Sequence, residues 1–296
     1  MPALVARRPI DLATRALHCA LAALCAFAAS PAQAGPTLDR IRAKGTIVFA
    51  YRDGAAPFSY KDRAGHVRGY SVELCARIAG ALQQRLGLAT LKVDWLPVNA
   101  DQRLDAVTSG RADAECGTTT ITLTRMETVD FSLPIFVDGG AVMVPGKSPI
   151  TKLTDLAGKR VAVIAGTTTE RGLVNALNVQ DATAVIVPVR TSEEGMAQLA
   201  ANKVDAYAAD RVVLMQLQLR NAPEKPFNVL PGDFSYEPYG IVLPRADPDF
   251  RLAINRALVS IYKQGEIDPI YQRWLAPLGP PGPLLNAMFY LNALPD

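Results

Sequence analysis

The chain predicts an α/β fold of two lobes, each a sheet flanked by helices, with a cleft between them. Three observations carry this. Short β-branched or apolar runs alternate with amphipathic segments, the pattern of largely parallel strands covered by helices. The alternation comes in two successive blocks that repeat one architecture without obvious sequence identity. A length of 296 residues with a hydrophobic fraction of 49% is enough for two cores.

Residues 1–34 stand apart from the fold. Arg7, Arg8 and Arg15 precede an apolar run over 16–29, and Ala32-Gln33-Ala34 supplies small residues for cleavage before Gly35. The run falls short of the ~20 apolar residues that a spanning helix needs. Residues 1–34 are therefore expected to be a cleaved signal peptide, with a retained anchor as the alternative. Leu24 ahead of Cys25 argues against lipidation there. The expected destination is the periplasm.

In the first block, 46–51 reads as a strand. The segment 70–86 reads as a helix, because Val72, Cys75, Ile78, Ala79, Leu82 and Leu86 share one face and Gly87 ends it. A strand over 91–96, a short helix over 101–109 stopped by Gly110, and a strand over 113–116 complete the block. The second block begins after Ala141, with strands over 160–164, 184–187 and 204–208 and helices over 168–176, 192–201 and 210–219. One more strand, 240–243, then helices over 248–263 and 267–275 follow Pro231. The expected organisation is lobe 1 over 35–139, lobe 2 over 140–231, a return to lobe 1 over 232–278, and an irregular Pro-rich tail over 279–296.

Charge excludes one class of partner. The chain has 31 Lys and Arg against 28 Asp and Glu, and without residues 1–34 the balance is 28 against 27. The basic residues are scattered, without the stripe that nucleic acid requires. Catalytic and metal signatures are also missing. Beyond residue 34 the one histidine is His66, in a turn-like stretch, and there is no Gly-x-Ser-x-Gly and no zinc spacing. Pro145-Gly146-Lys147-Ser148 resembles the end of a phosphate loop, but Ala141 stands where its first glycine belongs. No metal or cofactor is called for. Cys75 and Cys116 are left as one disulfide or two buried thiols.

The remaining signal is a set of threonines and arginines at element ends. In Gly166-Thr167-Thr168-Thr169-Glu170 a strand runs into a helix with capping-box spacing, leaving backbone N–H groups free for an anion. Thr191-x-x-Glu194 has the same spacing and can be a plain cap. Glu115-Cys116-Gly117-Thr118-Thr119-Thr120 puts hydroxyls after a strand, and in Thr124-Arg125-Met126-Glu127 the Arg125 fork suits a carboxylate.

Together with Phe58-Ser59-Tyr60, Gly69-Tyr70-Ser71 and Val129-Asp130-Phe131-Ser132, these motifs resemble the periplasmic polar amino-acid-binding proteins of ABC importers (solute-binding protein family 3). The similarity runs over about 38–275 and is strongest to glutamate/aspartate-binding proteins. It implies the type II periplasmic-binding-protein fold, a monomer that closes on a free acidic amino acid and delivers it to an inner-membrane ABC permease. By the same resemblance Arg125 grips the α-carboxylate, helped by N–H groups around Thr120 and Thr168. Asp210, Thr118 and Thr120 accept from the α-ammonium, and Arg52 and Arg103 face an anionic side chain. Two buried guanidinium groups facing a neutral side chain would be costly unpaired cations.

The chain departs from close relatives at Ala100, where they carry a serine, and at Ser192, where they carry a histidine facing the ligand side chain. Two other classes share the fold. One is a secreted enzyme resembling cyclohexadienyl dehydratase, for which Glu115 and Asp210 are the available acid–base groups. The other is an amino-acid sensory module.

Overall fold

In the computed structural model, which describes residues 35–221 and 226–295, the chain opens with α1 (Pro36–Lys44), a helix not read from the sequence. The expected signal peptide lies outside the described residues. Next come β1 (Thr46–Arg52), a hairpin of β2 (Tyr60–Lys61) and β3 (Val67–Arg68), and α2 (Tyr70–Arg85). They are followed by β4 (Lys92–Val98), α3 (Arg103–Thr108) and β5 (Ala114–Glu115). β1 lies parallel to β4 on one side and to β5 on the other. α2 buries Val72, Cys75, Ile78, Ala79 and Leu82, the stripe that its 3.6-residue period predicts.

After α4 (Leu123–Met126) and β6 (Val129–Phe131), the long strand β7 (Phe136–Pro145) carries the chain into a second sheet. That sheet is built from β8 (Arg160–Ile164), α5 (Thr168–Val179), β9 (Val185–Val189), α6 (Ser192–Ala200), β10 (Ala206–Asp210), α7 (Arg211–Asn221) and β11 (Phe227–Val229). Its order is β11-β7-β10-β8-β9, with β8 parallel to both β9 and β10 and β7 antiparallel to β10. β12 (Ser235–Tyr239) pairs antiparallel along β7. β13 (Val242–Pro244) then joins the first sheet, whose order is β4-β1-β5-β13-β6, and α8 (Pro248–Lys263), α9 (Ile267–Leu275) and α10 (Pro283–Asn292) end the fold. The apolar clusters follow the sheets. Val142, Val161, Val163, Leu173 and Ala208 pack in the second, and Ala50, Val98, Ala106 and Ala112 in the first.

Besides α1, the short elements β2, β3, α4, β6 and β11 are absent from the sequence expectation, and two larger departures have a physical reason. β7 and β12 were not foreseen as strands, because Asp138-Gly139-Gly140 interrupts the apolar run of β7 and polar residues occupy β12. Bare backbone is what the pairing needs there: a Cβ on Gly140 would come within 2.4 Å of the Phe234 ring. The second is the tail over 279–296, which is not irregular throughout but contains α10. Pro280 and Pro281 lie ahead of the helix and Pro295 beyond it, and Pro283 sits at the start, where a missing N–H costs nothing. Leu285, Met288 and Phe289 are buried, Phe289 stacks on Tyr262 at 5.8 Å, and Asn292 Nδ2 donates to the Pro134 carbonyl at 2.6 Å.

Candidate functional site

The carboxyl ends of parallel strands leave backbone groups and the first turns of helices facing one crevice, the usual ligand position in open α/β sheets. Here β1 ends at Arg52, β5 runs into Gly117 and Thr118, β8 leads through Gly166 to α5, and β10 ends at Asp210. Together these ends wall a narrow cavity. Seven of the eight candidate ligand residues line it, namely Arg52, Arg103, Thr118, Thr120, Thr168, Ser192 and Asp210. Thr167 and Thr169, from the same motif as Thr168, line it too, and among the residues the sequence did not single out so do Ala55, Ile164 and Val213.

Arg52 is buried, and its Nη1 donates to Thr118 Oγ1 at 2.8 Å. Gly117 makes the approach feasible, since a Cβ there would meet Glu115 Oε1 at 2.1 Å and Arg52 Cβ at 3.1 Å. The loop is held from behind by the Cys75–Cys116 disulfide and by Ser71 Oγ, which donates to the Gly117 carbonyl at 2.8 Å.

Arg103 begins α3 and is 3% exposed, yet its Nε and Nη1 have no hydrogen-bond partner among the described residues. Burial pulls this guanidinium down to about 9, helped by the positive charges of Arg52 and Arg125. It remains charged at neutral pH. Glu115 is fully buried, and burial pushes its carboxyl up against the opposing influence of Arg103. A desolvated cation with free donors is costly unless an anion meets it.

Arg125 is buried but is not among the cavity-lining residues. Its Nη1 donates to the Thr120 carbonyl at 2.6 Å, and burial lowers its pKa, with Arg171 adding to the effect. Thr122 caps the short α4 by accepting from Arg125 N.

Thr167 caps α5, accepting from Glu170 N at 3.1 Å, while Glu170 Oε2 accepts from Gly166 N at 2.7 Å. Thr191 and Glu194 repeat that arrangement at the start of α6, which places Ser192 on the cavity wall. Thr169 Oγ1 donates to Asp210 Oδ1 at 2.9 Å. Beside Asp210, burial and that residue's charge push the Asp138 carboxyl up to about 8.

Sequence reasoning missed Glu237. This buried residue of β12 accepts at Oε2 from Thr120 Oγ1 at 2.6 Å and from Thr168 Oγ1 at 2.7 Å, and at Oε1 from Ser235 Oγ at 2.7 Å. A lone acid in Ser235-Tyr236-Glu237-Pro238 carries no spacing signal, so contact alone identifies it. His66 lies exposed beside Asp62 and outside the cavity. Among the described residues, no group of three or more His, Cys, Asp or Glu could hold a metal.

A family model for bacterial extracellular solute-binding proteins, family 3, matches residues 47–277. The chain belongs to that family. Among family-3 relatives it is 32% identical over 255 residues to an L-glutamate/L-aspartate-binding protein of Pseudomonas aeruginosa, covering 84% of this chain and 83% of the relative. It is 30% identical over 283 residues to the glutamate/aspartate import solute-binding protein of Escherichia coli, covering 95% and 93%. A solved ancestral arginine-binding protein bound to arginine superposes with a TM-score of 0.71 at 32% identity, covering 78% of this chain and 99% of that one. The two-lobe type II fold and the family-3 resemblance expected from the sequence are thus borne out.

Proposed function

We propose that this family-3 protein binds L-glutamate and/or L-aspartate outside the cytoplasm, as a monomer, and hands it to an inner-membrane ABC permease. The observation that carries the acidic preference is Arg103, a buried guanidinium with two unpartnered nitrogens, on the wall of a cavity also lined by Arg52. An anionic side chain supplies the missing partner, whereas a neutral one leaves the cation unmet. Asp210 accepts from the α-ammonium, and Arg125 lends its charge to the α-carboxylate, helped by backbone N–H groups around Thr120 and Thr168. The glutamate/aspartate-binding relatives support this reading. A related fold that holds arginine supports seeking specificity in the residues of the cavity and not in the fold. Export through residues 1–34 is part of the same proposal.

Calorimetric titration with the twenty amino acids tests it. Heat is expected with glutamate or aspartate and little with lysine or arginine. Tight lysine binding would reject the roles given to Arg52 and Arg103.

A further inference from the structure

Glu237 lies outside every role above, yet its carboxylate is one of the most heavily engaged groups at the site. It is 1% exposed, and its Oε2 takes the protons of two threonine hydroxyls that line the cavity. A hydroxyl has one proton and two lone pairs, while an ionised carboxylate can only accept. Thr120 Oγ1 and Thr168 Oγ1 also approach each other to 3.0 Å. With both protons committed to Glu237, neither threonine donates to the other, and neither has a proton left for a ligand. Each hydroxyl offers the cavity lone pairs alone.

We infer that Glu237 is a positioning residue which, by fixing these two hydroxyl protons, makes Thr120 and Thr168 acceptors and so selects ligands carrying an α-ammonium over acids that lack one. This rests on the reading that the cleft binds a free α-amino acid, but not on which one. Two further contacts agree with it. Ser235 Oγ donates to Glu237 Oε1 and accepts from Gly140 N at 3.1 Å, which fixes the carboxylate's orientation from the β7 side. Ile121 N donates to the Pro238 carbonyl at 2.7 Å, which fixes the Thr120 segment against the strand that bears Glu237. The arrangement assigns the α-carboxylate to Arg125 and to backbone N–H groups, because no hydroxyl proton remains to serve it.

The test compares an amino acid with its deaminated acid, using L-glutamate and glutarate as probes. If the parent protein favours another amino acid, that one and its deaminated acid take their place, so failure of the acidic reading leaves the comparison intact. Glu237→Met releases both hydroxyl protons. It is expected to weaken the amino acid at least tenfold while changing the deaminated acid less than threefold. Glu237→Gln can turn its carbonyl to the threonines and its amide to Ser235, so it should stay within threefold of the parent for both probes. Equal loss of both probes in Glu237→Met would mean a structural role and overturn the inference. Tighter amino-acid binding would mean that Glu237 competes with the ligand and would overturn it as well. So would a Gln variant as impaired as the Met variant, since charge and not proton placement would then be at work. Should Glu237→Met not fold, Thr120→Val removes one acceptor with Glu237 in place. Selective loss of the amino acid in that variant supports the inference, and equal loss of both probes overturns it.

Discussion

The hydroxyl oxygens of Thr120 and Thr168 lie 3.0 Å apart, one from the loop after β5 and the other from the first turn of α5. The contact joins the first sheet to the second at the cavity. Its surroundings are fixed, because Gly240 N donates to the Thr119 carbonyl at 3.1 Å and Thr120 bridges to Tyr239 where the chain passes between sheets. A ligand seated at this corner touches groups from both sheets at once. On the proposed function, binding and closure are then one event, and the ligand favours the closed arrangement by its differential affinity for it.

Arg103 should separate binding from stability. Replacing this buried cation with methionine keeps most of the side-chain volume and removes a desolvated charge whose Nε and Nη1 are unpartnered. The unliganded Arg103→Met protein is expected to melt at the same temperature as the parent or higher. Glutamate affinity should fall about 100-fold or more, as for loss of one partner of a buried ion pair. Thermal denaturation without ligand and titration calorimetry check the two halves. A lowered melting temperature with affinity preserved would make Arg103 a structural residue.

Arg125 and Arg52 differ in where they stand, and their variants should differ in kind. Arg125 supports Thr120 through its carbonyl, while Arg52 lines the cavity and holds Thr118. Arg125→Ala is expected to abolish binding of every amino acid, since the proposed function gives Arg125 the charge that meets every α-carboxylate. Arg52→Ala should narrow the preference for glutamate over glutamine by about tenfold, the scale of one charged hydrogen bond. Titrating both ligands into both variants decides it, and equal loss everywhere would contradict the division.

The parts legible in the sequence are those whose periodicity matches their burial. α2 shows its stripe because one face packs and the other is wet, and β8 reads as a strand because four of its five residues are buried. β7 and β12 were hidden because their pairing depends on two glycines and on polar residues such as the buried Glu237 and its partly buried partner Ser235, which no apolar alternation reveals. The cavity arginines and threonines were legible because they sit at element ends within recognisable motifs. Glu237 was not, since its threonine partners lie 117 and 69 residues away in sequence and nothing local marks the meeting. α10 was obscured by the prolines that precede it, although none interrupts it after the first position.

The disulfide should matter to stability before it matters to binding. Cys75 and Cys116 are 41 residues apart, so breaking the link frees a sizeable loop in the unfolded chain. The double variant Cys75→Ser, Cys116→Ser is expected to lose about 2–4 kcal/mol in denaturant unfolding. Its ligand affinity at low temperature should change less than threefold, because Ser71 Oγ still holds the Gly117 carbonyl. Affinity that collapses while the protein remains folded would show that the bond shapes the Thr118 loop directly.

Asp138 should leave a pH signature of opposite sign to an ordinary ion-paired acid. Its Oδ1 accepts from Gly139 N at 2.8 Å, and its Oδ2 accepts at 3.2 Å from both Val212 N and Tyr239 OH. Burial, with the charge of Asp210, still raises the carboxyl from its ordinary 3.8 to about 8. Between those two values the folded protein keeps a proton that the unfolded chain has released. Stability therefore falls with rising pH across the window, and the loss is complete once the folded carboxyl also ionises. Below the window both states hold the proton and the contribution vanishes. Asp138→Asn has nothing to titrate, so its stability relative to the parent should rise steadily as denaturant unfolding is repeated from pH 5 to pH 8. Comparing the two proteins cancels the other titrating groups. A difference that stays flat over that range would mean that the Asp138 carboxyl is ionised in the folded protein throughout.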